Sequence, residues 1–205
     1  MGVPCEKDGI VSRQRLNDIA KEVFRKAIHI CSALVPYLLS VAYGPVLALL
    51  AAALVLYSVS ELLRLHGIPV PVVAQVTAAA ARKRDENKFV LGPVTLCVGI
   101  LLCALLYRPL PAAIGIYALA FGDGLASLSG KLWGRVRIPG TQGKTAAGSL
   151  TCFAAIFISS FAAGRNATAS LVLALAGMVI EVLPLKDFDN VLIPVLIGGL
   201  ASFFF

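Results

Sequence analysis

Seven apolar runs, at about 27–43, 45–64, 89–107, 110–128, 147–163, 167–183 and 191–205, take up most of this chain. Each is close to the roughly 20 residues that cross a bilayer's hydrocarbon core. Lipid offers no hydrogen bonds, so such runs must satisfy their backbone internally and fold as helices. The expectation is an all-α fold, a multi-pass transmembrane helical bundle of about seven spans. The first, fifth and last runs read as short, so one of them suits a re-entrant segment. Composition agrees: 59% of the 205 residues are hydrophobic and only 14% are charged, more apolar than soluble domains run.

Two parts follow from this pattern, an N-terminal amphipathic arm (residues 1–26) and a transmembrane catalytic bundle (27–205). In the arm, Leu16, Ile19, Ala20, Val23, Phe24 and Ala27 recur at helical spacing, with Glu22, Arg25, Lys26 and His29 on the opposite face. Such a helix suits the membrane interface, and then turns or runs on into the membrane. Its polar face is either solvated or, at the membrane entrance, put to use. No secretory signal is evident, so the first run reads as a retained anchor. Residues 69–88 contain an Ala-rich interfacial helix (Val72, Val73, Val76, Ala79, Ala80) ending in a charged run, Arg82 to Lys88. Gly44–Pro45, Arg108–Pro109 and Gly164–Arg165–Asn166 mark tight turns.

Sixteen of the eighteen Lys and Arg residues fall in the arm, the second–third connection, the fourth–fifth loop and the sixth–seventh connection. Only Arg108 and Arg165 remain for the other side, which puts the N-terminus and the polar motifs in the cytoplasm. A plasma membrane is the expected location. The net charge of +7 borders apolar segments, so anionic headgroups and phosphorylated substrates are the expected partners rather than nucleic acid. Cys5, Cys31, Cys97, Cys103 and Cys152 form no C-x-x-C pair and read as buried free thiols.

The chemistry concentrates between Leu119 and Ser149. Asp123 stands between two glycines, and Lys131, Arg135, Arg137 and Lys144 follow, threaded with Gly130, Gly134, Gly140, Gly143 and Gly148. Glycine lets backbone N–H groups approach a ligand, and fixed cations suit phosphate oxygens. This is not a Walker A loop, because Ile138 stands where the first glycine is required before Gly143-Lys144-Thr145. A basic, Gly-rich loop that only obeys the positive-inside rule is the plainer alternative. Charges also sit at the ends of spans. Glu61 and Arg64 can pair with each other, whereas Asp123 and Asp189 have no cation at helical spacing inside the membrane.

Phosphoryl transfer requires a metal across two phosphates, cations on the oxygens and a carboxylate near the attacking hydroxyl. Asp123, Asp189, Asn190 and Glu181 are the candidate ligands for Mg2+ or another divalent cation. Lys144 and Lys131 are candidate phosphate clamps. Gly143, Thr145, Gly148 and Ser149 are placed around the nucleotide, with Arg25 and His29 beside them. Asp123 and Glu22 both stand as candidates to take the proton of an acceptor hydroxyl, and Asp123, Lys144, Asp189 and Glu22 form the catalytic set.

Taken in order, Glu22-x-x-Arg25-Lys26-x-x-His29, Phe121-Gly122-Asp123-Gly124-x-Ala126-Ser127, Gly130-Lys131-x-x-Gly134, Pro139-Gly140-x-x-Gly143-Lys144-Thr145-x-x-Gly148-Ser149, Glu181 and Asp189-Asn190-x-x-Ile193-Pro194 resemble the polyprenol kinase family. That family includes dolichol kinase, phytol kinase and the CTP-dependent diacylglycerol kinase. The resemblance implies a membrane lipid kinase with CTP as phosphoryl donor, a divalent cation and a lipid alcohol as acceptor. Phosphatidate cytidylyltransferase (CDP-diacylglycerol synthase) shares the glycine–lysine stretch. Its C-terminal signature is a Gly- and Asp-rich loop, however, where this chain has Lys186-Asp187-Phe188-Asp189-Asn190. A transporter or scaffold leaves the one-sided polar motifs unexplained. Neither the tail of the acceptor nor the oligomeric state follows from these residues.

Overall fold

A computed structural model describes residues 5–81, 85, 88–141 and 143–205. Within them the chain is helical, with one isolated β-bridge between Arg137 and Thr145. The order is α1 (Cys5–Cys31), a 3₁₀ turn (Ser32–Leu34), α2 (Val35–Val41), α3 (Tyr43–Leu65), α4 (Pro71–Ala80) and α5 (Gly92–Leu106). Then come α6 (Pro109–Tyr117), a π-helical turn (Ala118–Asp123), α7 (Gly124–Trp133), α8 (Ala146–Gly164), α9 (Ala167–Val182) and α10 (Asp189–Ala201). Prolines stand in the first turns of α4, α5 and α6, where a missing N–H costs nothing.

Ile19–Val41, Tyr43–Leu65, Pro109–Trp133 and Ala146–Gly164 are long and apolar enough to cross a membrane. Gly92–Leu106, Ala167–Val182 and Asp189–Ala201 are apolar but shorter. The short helices are therefore the third, sixth and last, not the first, fifth and last. The first lengthens because α1 continues without a break past residue 26, so part of the arm belongs to a spanning stretch. The chain bends at Ala42 (φ −147°, ψ 71°), and Gly44 and Pro45 lie in the first turn of α3 rather than between helices. Arg82, Lys83, Arg84, Glu86, Asn87 and the side chains of Cys5, Lys7, Arg13, Arg15 and Leu16 lie outside the described residues.

The continuous α6–π–α7 stretch forms the centre of the bundle: 67% of its apolar core is buried, against 6% for Tyr43–Leu65. Ile114, Ile116 and Leu119 pack with Ile100 and Cys103 of α5, Ile156 of α8, Leu173 of α9, and Ile193 and Ile197 of α10. The outward side chains of α3, such as Leu49, Val55, Leu56 and Val59, are exposed, as they would be against lipid. Between membrane helices, close contact of small residues replaces the hydrophobic effect as the main attraction. Pro194 leaves the Asn190 carbonyl without its helical donor, and Gly99 lets α5 close over that oxygen, where a Cβ would sit at 2.1 Å. Cys103 and Cys152 are buried free thiols as expected, but Cys97 is half-buried and Cys31 is exposed.

The helices also sort the cations. α8 starts at its Thr145 cap and ends at Arg165, which adopts the left-handed conformation (φ 53°). Phe205 packs on Gly164 at that end. Arg108 caps the start of α6, likewise far along the helix from Lys131. Arg108 and Arg165 thus lie away from the end that carries Asp123, Lys131 and Lys144.

Candidate functional site

Helix α1 is amphipathic in the sense opposite to an interfacial helix. Glu22, Lys26 and His29 are 5%, 3% and 3% exposed, while Val23 and Phe24 are 46% and 40% exposed. The polar face turns into the bundle and the apolar face turns out. A solvated polar face is therefore ruled out for these residues. An ionised group in an apolar bundle requires paired, hydrogen-bonded partners, and the π turn and α7 supply them.

The Lys26 ammonium donates to Asp123 Oδ2 in a buried ion pair. His29 Nδ1 lies 3.3 Å from the same oxygen. Asp123 ends the π turn, a widened turn that shifts the register of the side chains after it. Glu22 collects three donors: the Arg25 guanidinium, Ser127 Oγ at 2.5 Å and Lys131 Nζ at 2.7 Å. Across the loop, Lys144 Nζ donates to Glu181 Oε1 at 2.8 Å and Ser149 Oγ donates to Oε2 at 3.1 Å. Burial pulls the Lys144 pKa down, but Glu181 outweighs it, with help from Asp123 and Asp189, so the ammonium titrates above the ordinary lysine range.

The loop before α8 closes through Ile138 N to Lys144 O at 2.9 Å and Ala146 N to Val136 O at 3.0 Å. Gly143, with φ 97°, makes its turn and has open space around it. Gly148 serves packing. A Cβ there would meet the Ala126 carbonyl oxygen at 2.9 Å, so the bare glycine lets α7 and α8 touch. Thr145 Oγ1 accepts from Gly148 N at 3.2 Å and caps α8.

The four expected metal ligands each have a protein partner. Asp123 and Glu181 each hold a lysine. Asp189 Oδ1 accepts from Asn190 N at 3.0 Å, and Asn190 Nδ2 donates to Thr95 Oγ1 at 3.0 Å. Among the described residues, no three His, Cys, Asp or Glu side chains are grouped to hold a metal ion. These donors suit a Mg2+ that arrives on polyphosphate oxygens and needs only one or two protein carboxylates. Glu61 belongs elsewhere. It accepts from Arg64 at 2.8 and 2.7 Å and from Val90 N at 2.8 Å, tying α3 to the start of α5.

The arrangement therefore gathers four cations (Arg25, Lys26, Lys131, Lys144) and three carboxylates (Glu22, Asp123, Glu181) at one end of the bundle. Lys26 and Ser127 were not among the expected site residues, although Lys26 shares a helix face with Glu22 and His29. Cations held by exchangeable partners can turn to an incoming polyanion at little desolvation cost. Fold and site together define an all-helical membrane protein with a buried ionic site at one end.

No family model matches the chain, and no solved structure matches it. Over 139 residues it is 28% identical to the chloroplastic farnesol kinase of Arabidopsis thaliana, an alignment covering 60% of this chain. The chain spans less than half, 45%, of that protein's length.

Proposed function

We propose that this chain is a membrane kinase that transfers the γ-phosphoryl group of CTP to the hydroxyl of a lipid alcohol. The acceptor is of the polyprenol, phytol or diacylglycerol type. The observation that carries the reading is the convergence of four cations and three carboxylates, supplied by α1, the π turn, α7, α9 and the loop before α8, at one end of an apolar bundle. Similarity to a farnesol kinase supports a prenol-type hydroxyl as acceptor.

In this reading Lys131 and Lys144 hold the phosphates, with Arg25, the Gly143 backbone and Ser149 beside them. Mg2+, when bound, neutralises charge on the phosphates, with Asp123 as its first protein ligand and Asp189, Asn190 and Glu181 near it. The acceptor oxygen bonds to the γ-phosphorus, the bond to the β–γ bridging oxygen breaks, and CDP leaves. The hydroxyl proton passes to Asp123 or Glu22. Seven passes, alternating from α1–α2 through α10, with the site facing the cytoplasm of a plasma membrane, complete the proposal. Residues 1–26 form the arm of the 27–205 catalytic bundle.

The test is the fate of the label from γ-labelled CTP. Label in the lipid, with farnesol, a polyprenol or diacylglycerol as acceptor, supports the kinase. Label only in pyrophosphate, with phosphatidate required, makes the chain a cytidylyltransferase instead.

A further inference from the structure

Beside Arg25 and His29 a small cleft opens between α1 and the start of α5. Its walls include Arg25, His29, Asp85 and Asp187, with Val90 and Leu96 as apolar lining. Two buried polar atoms at this boundary, Arg25 Nε and His29 Nδ1, have no hydrogen-bond partner of good geometry among the described residues. A buried polar atom left unpaired carries its desolvation penalty uncompensated, which points to a polar group that is bound there in use. His29 is 3% exposed, so that group meets an enclosed site.

We infer that this cleft receives the hydroxyl end of the neutral lipid alcohol, with its first carbons against Val90 and Leu96. The inference rests on the kinase reading above and assigns its acceptor site. Two features support it. A hydroxyl is both donor and acceptor, and so pairs with an Arg N–H and an imidazole nitrogen at once. His29 lines the cleft and also lies 3.3 Å from Asp123 Oδ2, which brings the acceptor oxygen beside the phosphate-binding cluster.

Gly92 provides the test, because it lines the cleft and a Cβ there meets nothing within 4 Å. Gly92→Leu should fold normally and fill the cleft. The expected result is a KM for farnesol raised about tenfold or more, with the KM for CTP within about twofold of wild type. Gly44→Leu, also in open space but away from the cleft, should change neither. An unchanged farnesol KM in Gly92→Leu overturns the assignment. If the wild-type protein phosphorylates no lipid alcohol, the kinase reading fails, and the cleft is then judged by a diazirine-bearing farnesol analogue. Labelling of the 90–96 segment that Gly92→Leu removes supports the cleft as an alcohol site. Labelling that Gly92→Leu leaves intact, or that phosphatidate competes away as well as farnesol does, overturns it.

Discussion

Lys26 and Asp123, 97 positions apart, form a buried ion pair in which each side chain is 4% exposed. The pair joins α1 to the last residue of the π turn and brings the first helix into the site.

Removing one partner of a buried pair leaves an uncompensated charge and costs about 3–5 kcal/mol. Lys26→Met and Asp123→Asn should therefore each lower the unfolding midpoint in detergent. The double variant Lys26→Met/Asp123→Leu should recover most of that loss and still show no phosphoryl transfer. Wild-type turnover in the refolded double variant would remove both residues from the chemistry.

The Lys144–Glu181 pair sets a pH dependence. The lysine titrates above its ordinary value in the folded protein, so the pair's contribution to stability is complete below that ordinary range and fades as pH rises through the higher folded value. Glu181→Gln removes the main influence that opposes burial, leaving Asp123 and Asp189, and so lowers the Lys144 pKa. The alkaline limb of kcat/KM for the nucleotide should then move to lower pH, and an unmoved limb would dissociate Lys144 from nucleotide binding.

Gly134 is a packing residue. A Cβ there would lie 2.1 Å from the Gly130 carbonyl oxygen and 2.6 Å from Thr145 Oγ1. Gly134→Ala should cost about 1–3 kcal/mol by overpacking and disturb the Thr145 cap. Thermal unfolding in detergent measures this, and an unchanged midpoint would mean that α7 and α8 separate freely here.

Orientation is open to chemical labelling. Cysteines placed at Gly143 and Thr168, in a variant lacking the native thiols, lie beyond opposite ends of α8, in the loop before it and in the first turn of α9. In sealed vesicles a membrane-impermeant maleimide should reach one and not the other. Modification of both from the same side sinks the transmembrane arrangement.

Much of this architecture is legible in the residues alone, because apolar run length and turn chemistry are local. The Arg108–Pro109 start of α6 and the Arg165–Asn166 break before α9 follow from short-range rules, as does the Glu61–Arg64 pair at three-residue spacing. The site is legible only by residue type. Periodicity puts Glu22, Arg25, Lys26 and His29 on one face, but not which side of the helix meets protein. That is decided by Asp123, Ser127 and Lys131, about a hundred residues later. The π turn leaves no periodic signal, so the partner of Asp123 is invisible to helical spacing. Gly148 looks like a phosphate-loop glycine, yet its tight approach to Ala126 depends on a tertiary contact.

The inward polar face of α1 has a consequence for how the chain is made. When Ile19–Val41 leaves the ribosome, Glu22 and Lys26 have no partners from α7, because residues 123–131 are not yet synthesised. The segment is also the least apolar of the four membrane-length stretches, with a mean hydropathy of 1.2 against 2.2 for Tyr43–Leu65. Charged side chains near a span's end weaken its insertion, so Glu22 and Lys26 work against the insertion of Ile19–Val41 until Asp123, Ser127 and Lys131 reach them.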